Sequence, residues 1–314
     1  MTRMPTNISR RSFMAATGAA SVSLGLGAGS ASGQTSPAGN RLMRAFPRSG
    51  ETVPAVGMGT WITFNVGESA RLRDARAAVL RTFFERGGTV IDSSPMYGSS
   101  EAVIGYCLGR TGTRETAFSA TKVWTPADGL GAGQMAESRK LWGLRAIDLM
   151  QVHNLVNWEG HLDTIAADKA AGRARYAGIT TSHGSRHGEM ERVMADERID
   201  AVQFTYNVVD RRAENRLLPM AADRGQAVIV NRPFRRGELF RRVSGHPLPE
   251  WAAEFDCENW AQFFLKFIVS HPTVTCAIPA TSRVDHMQEN MGALYGRLPD
   301  AAMRARMTRH IESL

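Results

Sequence analysis

Cysteine is scarce, with Cys107, Cys257 and Cys276 the only three in 314 residues. An odd count without close spacing argues against a disulfide framework. Cys107 falls in a helical pattern and Cys276 in a strand pattern, so both read as small core residues. Long apolar runs are missing as well: the Ala/Gly/Ser/Leu stretch near the N-terminus is broken by Thr, Ser and Gly before about 18 apolar residues accumulate, which argues against a membrane span. No basic helix interleaved with exposed aromatics is present, so nucleic acid is not the expected partner. Lys and Arg total 38 against 30 Asp and Glu, but Arg3, Arg10 and Arg11 lie in the first eleven residues. The remaining excess suits an anionic small molecule as well as it suits nucleic acid.

Ser9-Arg10-Arg11-Ser12-Phe13, the weakly apolar stretch after it and small residues near Ala31 to Gly33 look like a twin-arginine (Tat) export signal with a cleavage site. The chain therefore divides into a signal peptide over 1–33, a polar linker over 34–41 and one domain over 42–314, and the expected location is the periplasm or another exported compartment. The glycines of "GLGAGS" are not a dinucleotide loop, because no strand precedes them and no helix pattern follows.

Past the linker, "MRAFPRSGETVPAVGMGTW" reads as a β-hairpin turning at Arg48-Ser49-Gly50, then a short strand ending at Gly59. Apolar runs follow at Val90-Ile91, Ala117 to Ala120, Leu149 to Val152, Tyr176 to Ile179, Ala201 to Phe204, Ala227 to Val230 and Val274 to Ile278. Helical patterns lie between them at Arg71 to Glu85, Glu101 to Leu108, Gly133 to Leu144, Leu162 to Ala171, Glu189 to Ala195, Glu214 to Arg224, Trp260 to Val269 and Val284 to Leu294. Eight strand-helix units in roughly 250 residues predict an α/β fold of the (β/α)8 TIM-barrel type, with an N-terminal hairpin. A doubly wound sheet would carry its nucleotide loop after the first strand, and "GMGTWITF" lacks the third glycine. The irregular piece from Asn231 to Asp256 interrupts the seventh unit and reads as a lid or cofactor clasp.

Chemistry in such a barrel sits at the C-terminal strand ends. The second strand ends at Asp92 with Tyr97 beyond it, the third at Lys122 and the fourth at His153. A buried acid at a strand end needs a cation, and Lys122 supplies one. The ammonium in turn favours the phenolate of Tyr97, drawing its pKa down from about 10 towards the working range. A phenol so placed can protonate a carbonyl oxygen while His153 orients it. None of the four supplies hydride, so a nicotinamide is implied.

At these residues the chain resembles the aldo/keto reductases, over nearly everything from Leu42 to about Leu298. The family's Asp, Tyr, Lys and His map in order onto Asp92, Tyr97, Lys122 and His153, and "GMGTW", "IDSSPMYGSSE" and "DLMQVHN" are similar to family motifs. The resemblance implies NADP(H) bound in extended form without a Rossmann motif, and interconversion of a carbonyl and an alcohol. It implies that Gln203 holds the nicotinamide carboxamide, that Ser282 and Arg283 take the adenosine 2′-phosphate, and that Glu289 and Asn290 meet the adenine. Thr60, Trp61, Pro233 and Phe234 are expected along the cofactor. Two departures stand out. Thr180-Thr181 replaces the usual Ser-Asn, and Asn231 stands where an aromatic commonly stacks on the nicotinamide. Arg232, Arg235 and Arg236 could compensate through the pyrophosphate.

Trp61, Phe64, Trp124 and Trp158 follow strand ends and are expected to wall the substrate pocket. His183 and His187 have i, i+4 spacing but no third ligand, so no metal is expected. A reading from another class is an exported cofactor-binding, redox-sensing or accessory protein with slow turnover, which Asn231 and the export signal leave open. The substrate and the oligomeric state are not written in these motifs.

Overall fold

A computed structural model describes residues 40–127, 129–184 and 186–314. The twin-arginine segment and most of the linker lie outside the described residues; the described residues belong to one compact unit. β1 (Met43–Ala45) and β2 (Thr52–Pro54) pair antiparallel as the hairpin, with Gly50 at φ +74 in its turn. A side chain would be strained there.

Strands and helices then alternate: β3 (Met58–Gly59), α1 (Ala70–Glu85), β4 (Val90–Asp92), α2 (Ser100–Thr111), β5 (Phe118–Val123), α3 (Leu130–Trp142), β6 (Ile147–Val152), α4 (Trp158–Ala170), β7 (Ala174–Thr180), α5 (His187–Val193), β8 (Ala201–Thr205), α6 (Leu217–Asp223), β9 (Ala227–Asn231), α7 (Glu238–Arg242), α8 (Trp260–Val269), β10 (Val274–Ala277), α9 (Val284–Gly292) and α10 (Ala301–Glu312). β3 to β10 form one eight-stranded sheet in chain order, every neighbour parallel. Bridges from Val56 to Ala277 and from Gly59 to Ala280 bring the first strand against the last. The result is the (β/α)8 barrel with its N-terminal hairpin. Closure depends on two glycines of the "VGMGT" run: a Cβ on Gly57 would lie 2.7 Å from the Val90 carbonyl, and one on Gly59 2.8 Å from that of Ile278.

Strand periodicity explains what points where. Val90, Phe118, Ala120, Leu149, Ala201, Ala227 and Ile229 pack together inside the barrel with Phe46 and Val53 of the hairpin, which plugs the N-terminal end. Phe46 meets Phe118 at 5.3 Å and Tyr176 at 4.6 Å between ring centroids. Their neighbours Ile91, Met150, Val202 and Val228 face the helix layer and build the larger outer core. Counting on by two from the interior residues gives Asp92, Lys122, Gln151, His153, Gln203 and Asn231. The alternation that plugs one end of the barrel with hydrocarbon delivers polar groups to the other.

Two stretches differ from the sequence reading. Asn231 to Asp256 is not irregular, since it contains α7 and two 3-10 helices at Arg235–Gly237 and Glu250–Phe255. The final helix α10 was not anticipated, although Asp300 caps it by accepting the Met303 N–H at 2.8 Å.

Candidate active site

Lys122 is fully buried and donates at 2.6 Å to both Asp92 Oδ2 and the Ser93 carbonyl. Burial works against its charge, but Asp92, Tyr97 and Glu101 outweigh it and leave the ammonium pKa raised. The other Asp92 oxygen, Oδ1, accepts from Gln151 Nε2 at 3.0 Å and from Gln203 Nε2 at 2.9 Å. A carboxylate with both oxygens engaged and a cation at contact meets the condition for burying a charge.

Tyr97 sits on the one-turn helix Pro95–Tyr97, which Ser94 caps by accepting the Met96 N–H. Its ring lies 5.2 Å from Lys122 Nζ and meets the His153 ring edge-on at 5.8 Å. Here the structure corrects the sequence reading. Burial of the phenol outweighs the pull of Lys122, so the Tyr97 pKa is raised above its ordinary value. The hydroxyl therefore keeps its proton at neutral pH, as a donor.

His153 follows β6 directly, and Asn154 and Leu155 after it adopt left-handed φ of 53° and 55°. Burial and the Lys122 charge hold the imidazole pKa down to about 3. The ring is thus neutral, and its Nδ1 lies 2.9 Å from Ser94 Oγ. That oxygen already accepts the Met96 N–H, which leaves its own hydrogen to donate to Nδ1 and puts the ring proton on Nε2.

These groups open on a cavity of about 790 Å³. Tyr97, His153 and Asp92 line it, with Thr60, Trp61, Thr180, Gln203, Asn231, Pro233, Phe234, Glu289 and Asn290. Several expected residues stand elsewhere. Phe64 is buried in the outer core, because its turn closes on the Thr60 carbonyl and drives the ring inward. Trp158 begins α4 and packs on the same core. Trp124 is 42 % exposed outside the cavity, its backbone held by Gln134. Of the four aromatics, only Trp61 is on the wall. Ser282 and Arg283 are off it too, with Arg283 turned onto Asp285 at 2.9 Å.

The two departures interlock. Asn231 donates to the Thr181 carbonyl at 2.9 Å and to Gln203 Oε1 at 3.3 Å, and accepts from Thr205 Oγ1 at 2.8 Å. Gln203 is therefore occupied on both amide atoms. Thr181 is buried beside it, with a hydroxyl that has no partner among the described residues. Sequence reasoning missed Ser94, which orients His153, and Gln151, which shares Asp92. It also weighed His183 only as a metal ligand and, having set that aside, gave it no role, whereas the ring hydrogen-bonds Ser182 and Arg232 and lines the cavity. The signal for Gln151 was its position two residues before His153.

A dinucleotide fits this cavity by donor chemistry. Arg236 lines it and makes no ion pair among the described residues, and Thr63 on the same wall carries a buried hydroxyl without a partner among them. Comparison with known proteins agrees with the geometry. The chain is 30 % identical over 263 residues to a methylglyoxal reductase of Escherichia coli, covering 80 % of this chain and 89 % of that one. It is 27 % identical to an NADP(+) aldo-keto reductase of Schizosaccharomyces pombe, over 81 % and 87 % of the two chains. The solved Klebsiella pneumoniae aldo/keto reductase with NADP and acetate superimposes with a TM-score of 0.70 at 22 % identity, over 85 % of this chain and 95 % of that one. Residues 55–311 match the aldo/keto reductase family as a whole, and the chain belongs to that family.

Proposed function

We propose that this protein is an NADP(H)-dependent reductase of aldehydes or ketones, working through Asp92, Tyr97, Lys122 and His153. One observation carries the reading: the Tyr97 phenol lines a cavity beside a buried Lys122–Asp92 pair, with Lys122 Nζ 2.6 Å from Asp92 Oδ2. The relatives named for methylglyoxal and for NADP(+) support it.

Tyr97 gives its proton to the carbonyl oxygen as that oxygen gains negative charge. The phenolate left behind is stabilised by Lys122, and Asp92 keeps Lys122 charged and fixed in place. His153, neutral with its proton on Nε2, donates a hydrogen bond to the same oxygen and costs no charge in the site. The reduced nicotinamide, when bound, supplies the hydride to the carbonyl carbon. Thr60, Trp61, Asn231, Pro233, Phe234, Glu289 and Asn290 would hold the cofactor along the wall, and Arg236 its phosphates. Ser282 and Arg283 remain candidates for the 2′-phosphate, which would compete with Asp285 for Arg283. Oxidation of NADPH with a panel of aldehydes, ketones and quinones tests the reading. Tyr97→Phe should lose turnover by at least about 100-fold; full retention would refute the assignment.

The second reading, a cofactor-binding accessory protein with slow turnover, draws on the mesh that occupies Gln203 and Asn231. Release of a single equivalent of oxidised cofactor without continued turnover would favour it. Export through the twin-arginine route is part of the proposal, and fractionation of cells carrying Arg10→Lys with Arg11→Lys tests it. Retention of the variant in the cytoplasm is expected; unchanged distribution would count against export.

A further inference from the structure

We propose that Arg232, held by His183 at the cavity wall, recognises an anionic group on the substrate, so that the protein takes carbonyl compounds bearing a carboxylate or a phosphate. The proposal rests on the reductase reading and names its substrate class.

The charges along the cavity are unevenly compensated. Asp92 is neutralised by Lys122 at contact. Arg232 lines the same cavity as Tyr97 and His153, and among the described residues it makes no ion pair; Asp210, on the adjoining loop, is taken by Arg235 at 3.1 Å. Its one side-chain partner is uncharged. Arg232 Nη2 donates to His183 Nε2 at 2.6 Å, and His183 Nδ1 lies 2.7 Å from Ser182 Oγ. An imidazole that accepts at Nε2 must carry its proton on Nδ1, and burial with the Arg232 and Arg236 charges keeps it neutral. The histidine therefore aims the guanidinium without cancelling its charge, leaving most of its five N–H donors for a ligand.

The backbone is fixed as well. Arg232 comes directly after β9 at φ +52, and its carbonyl accepts from Asn207 Nδ2 at 3.2 Å and from the Arg235 N–H at 3.1 Å. A left-handed arginine persists only where its surroundings insist on it. Arg236 has a different position, laid over the Trp61 ring at 4.1 Å. The Arg232 charge favours the ionised form of the Tyr97 phenol. The two arginines divide the work: Arg236 lies against Trp61 on the cofactor wall, and Arg232 is turned to His183 on the cavity it shares with Tyr97 and His153. Exposed Ile62, Met96 and Phe240 complete an apolar rim for the rest of that substrate.

The test compares kcat/KM for two matched pairs, 4-carboxybenzaldehyde with methyl 4-formylbenzoate, and glyceraldehyde 3-phosphate with glyceraldehyde. The pair with the larger preference separates carboxylate from phosphate recognition. The anionic member should be favoured, and Arg232→Gln should lower its kcat/KM by about 10- to 100-fold more than that of its neutral partner, the range a charge-assisted hydrogen bond supports. Arg232→Lys should recover part of the loss, and NADPH affinity, followed by protein fluorescence, should move by less than about threefold. Equal loss for both members together with weakened NADPH binding would mean that Arg232 serves the cofactor, and would overturn the proposal; so would a wild type that prefers the neutral members. Turnover of the neutral members reports separately on the reductase reading. Should neither pair turn over, calorimetric titration of the same compounds onto the NADP-loaded protein decides the matter: Arg232-dependent binding of the anionic members upholds the site, and equal binding of both members removes it.

Discussion

Lys122→Met removes one member of a fully buried ion pair and keeps much of the side-chain volume. It leaves the Asp92 carboxylate, 2 % exposed, with two neutral amide donors from Gln151 and Gln203. Breaking a buried pair typically costs about 3–5 kcal/mol. The carboxylate can escape by taking up a proton, and protonating an ordinary aspartate at pH 7 costs about 4 kcal/mol, which limits the penalty. The limit falls with pH: at pH 5 the same escape costs only about 1.5 kcal/mol. The sign follows from linkage. Burial without a cation penalises the charged carboxylate and not the protonated one, so the variant loses stability as pH rises. Urea unfolding followed by circular dichroism, at pH 5 and pH 7 on wild type and Lys122→Met, reads this difference directly. The double variant Lys122→Met with Asp92→Asn should regain most of the stability at pH 7 while remaining inactive. A penalty that is the same at both pH values, or below about 1 kcal/mol at pH 7, would show that Asp92 does not depend on Lys122.

Two further predictions concern buried groups around the same strands. Glu101 on α2 accepts from Thr121 Oγ1 at 2.6 Å, Trp142 Nε1 at 3.1 Å and Ser138 Oγ at 3.1 Å, with no cation in contact among the described residues. Burial raises its pKa. Glu101→Gln, which keeps an acceptor for Thr121 and Trp142, should change stability by less than about 1 kcal/mol, whereas Glu101→Leu strands these donors and should cost about 3 kcal/mol or more in urea unfolding. His153 carries a folded-state pKa of about 3 against about 6.5 unfolded, so the unfolded chain binds the proton first and stability falls as pH drops below 6.5. Relative to His153→Gln, the wild type should lose about 2 kcal/mol between pH 7 and pH 5; parallel curves would show that the imidazole is not held neutral.

The barrel was legible because each strand declares itself as a short apolar run, and the polar quartet because each member ends such a run or follows it within a few residues. What the sequence hid was set by packing depth. The Tyr97 hydroxyl loses water on folding, and that loss outweighs Lys122, a balance no spacing reveals. Phe64 and Trp158 follow strands as Trp61 does, but an apolar ring after a strand can turn onto the outer core as easily as into the mouth. Arg283 was read for its charge alone, while its partner Asp285 stood two residues away in the same motif. Asp300 was an available cap signal for α10 and went unused. Arg232 was visible only as one arginine in a basic loop; its distinction comes from a neutral histidine 49 positions earlier that the fold brings to 2.6 Å.

The central claim is that Tyr97 hands its proton to a carbonyl oxygen while hydride reaches the adjoining carbon. Single-turnover mixing with NADPH deuterated at the transferable position, and mass spectrometry of the product, tests it most directly. Deuterium on the carbinol carbon of a wild-type product, with transfer slowed by at least about 100-fold in Tyr97→Phe, is the predicted result. Label transfer at an undiminished rate in that variant, or an alcohol formed without label, would contradict the account.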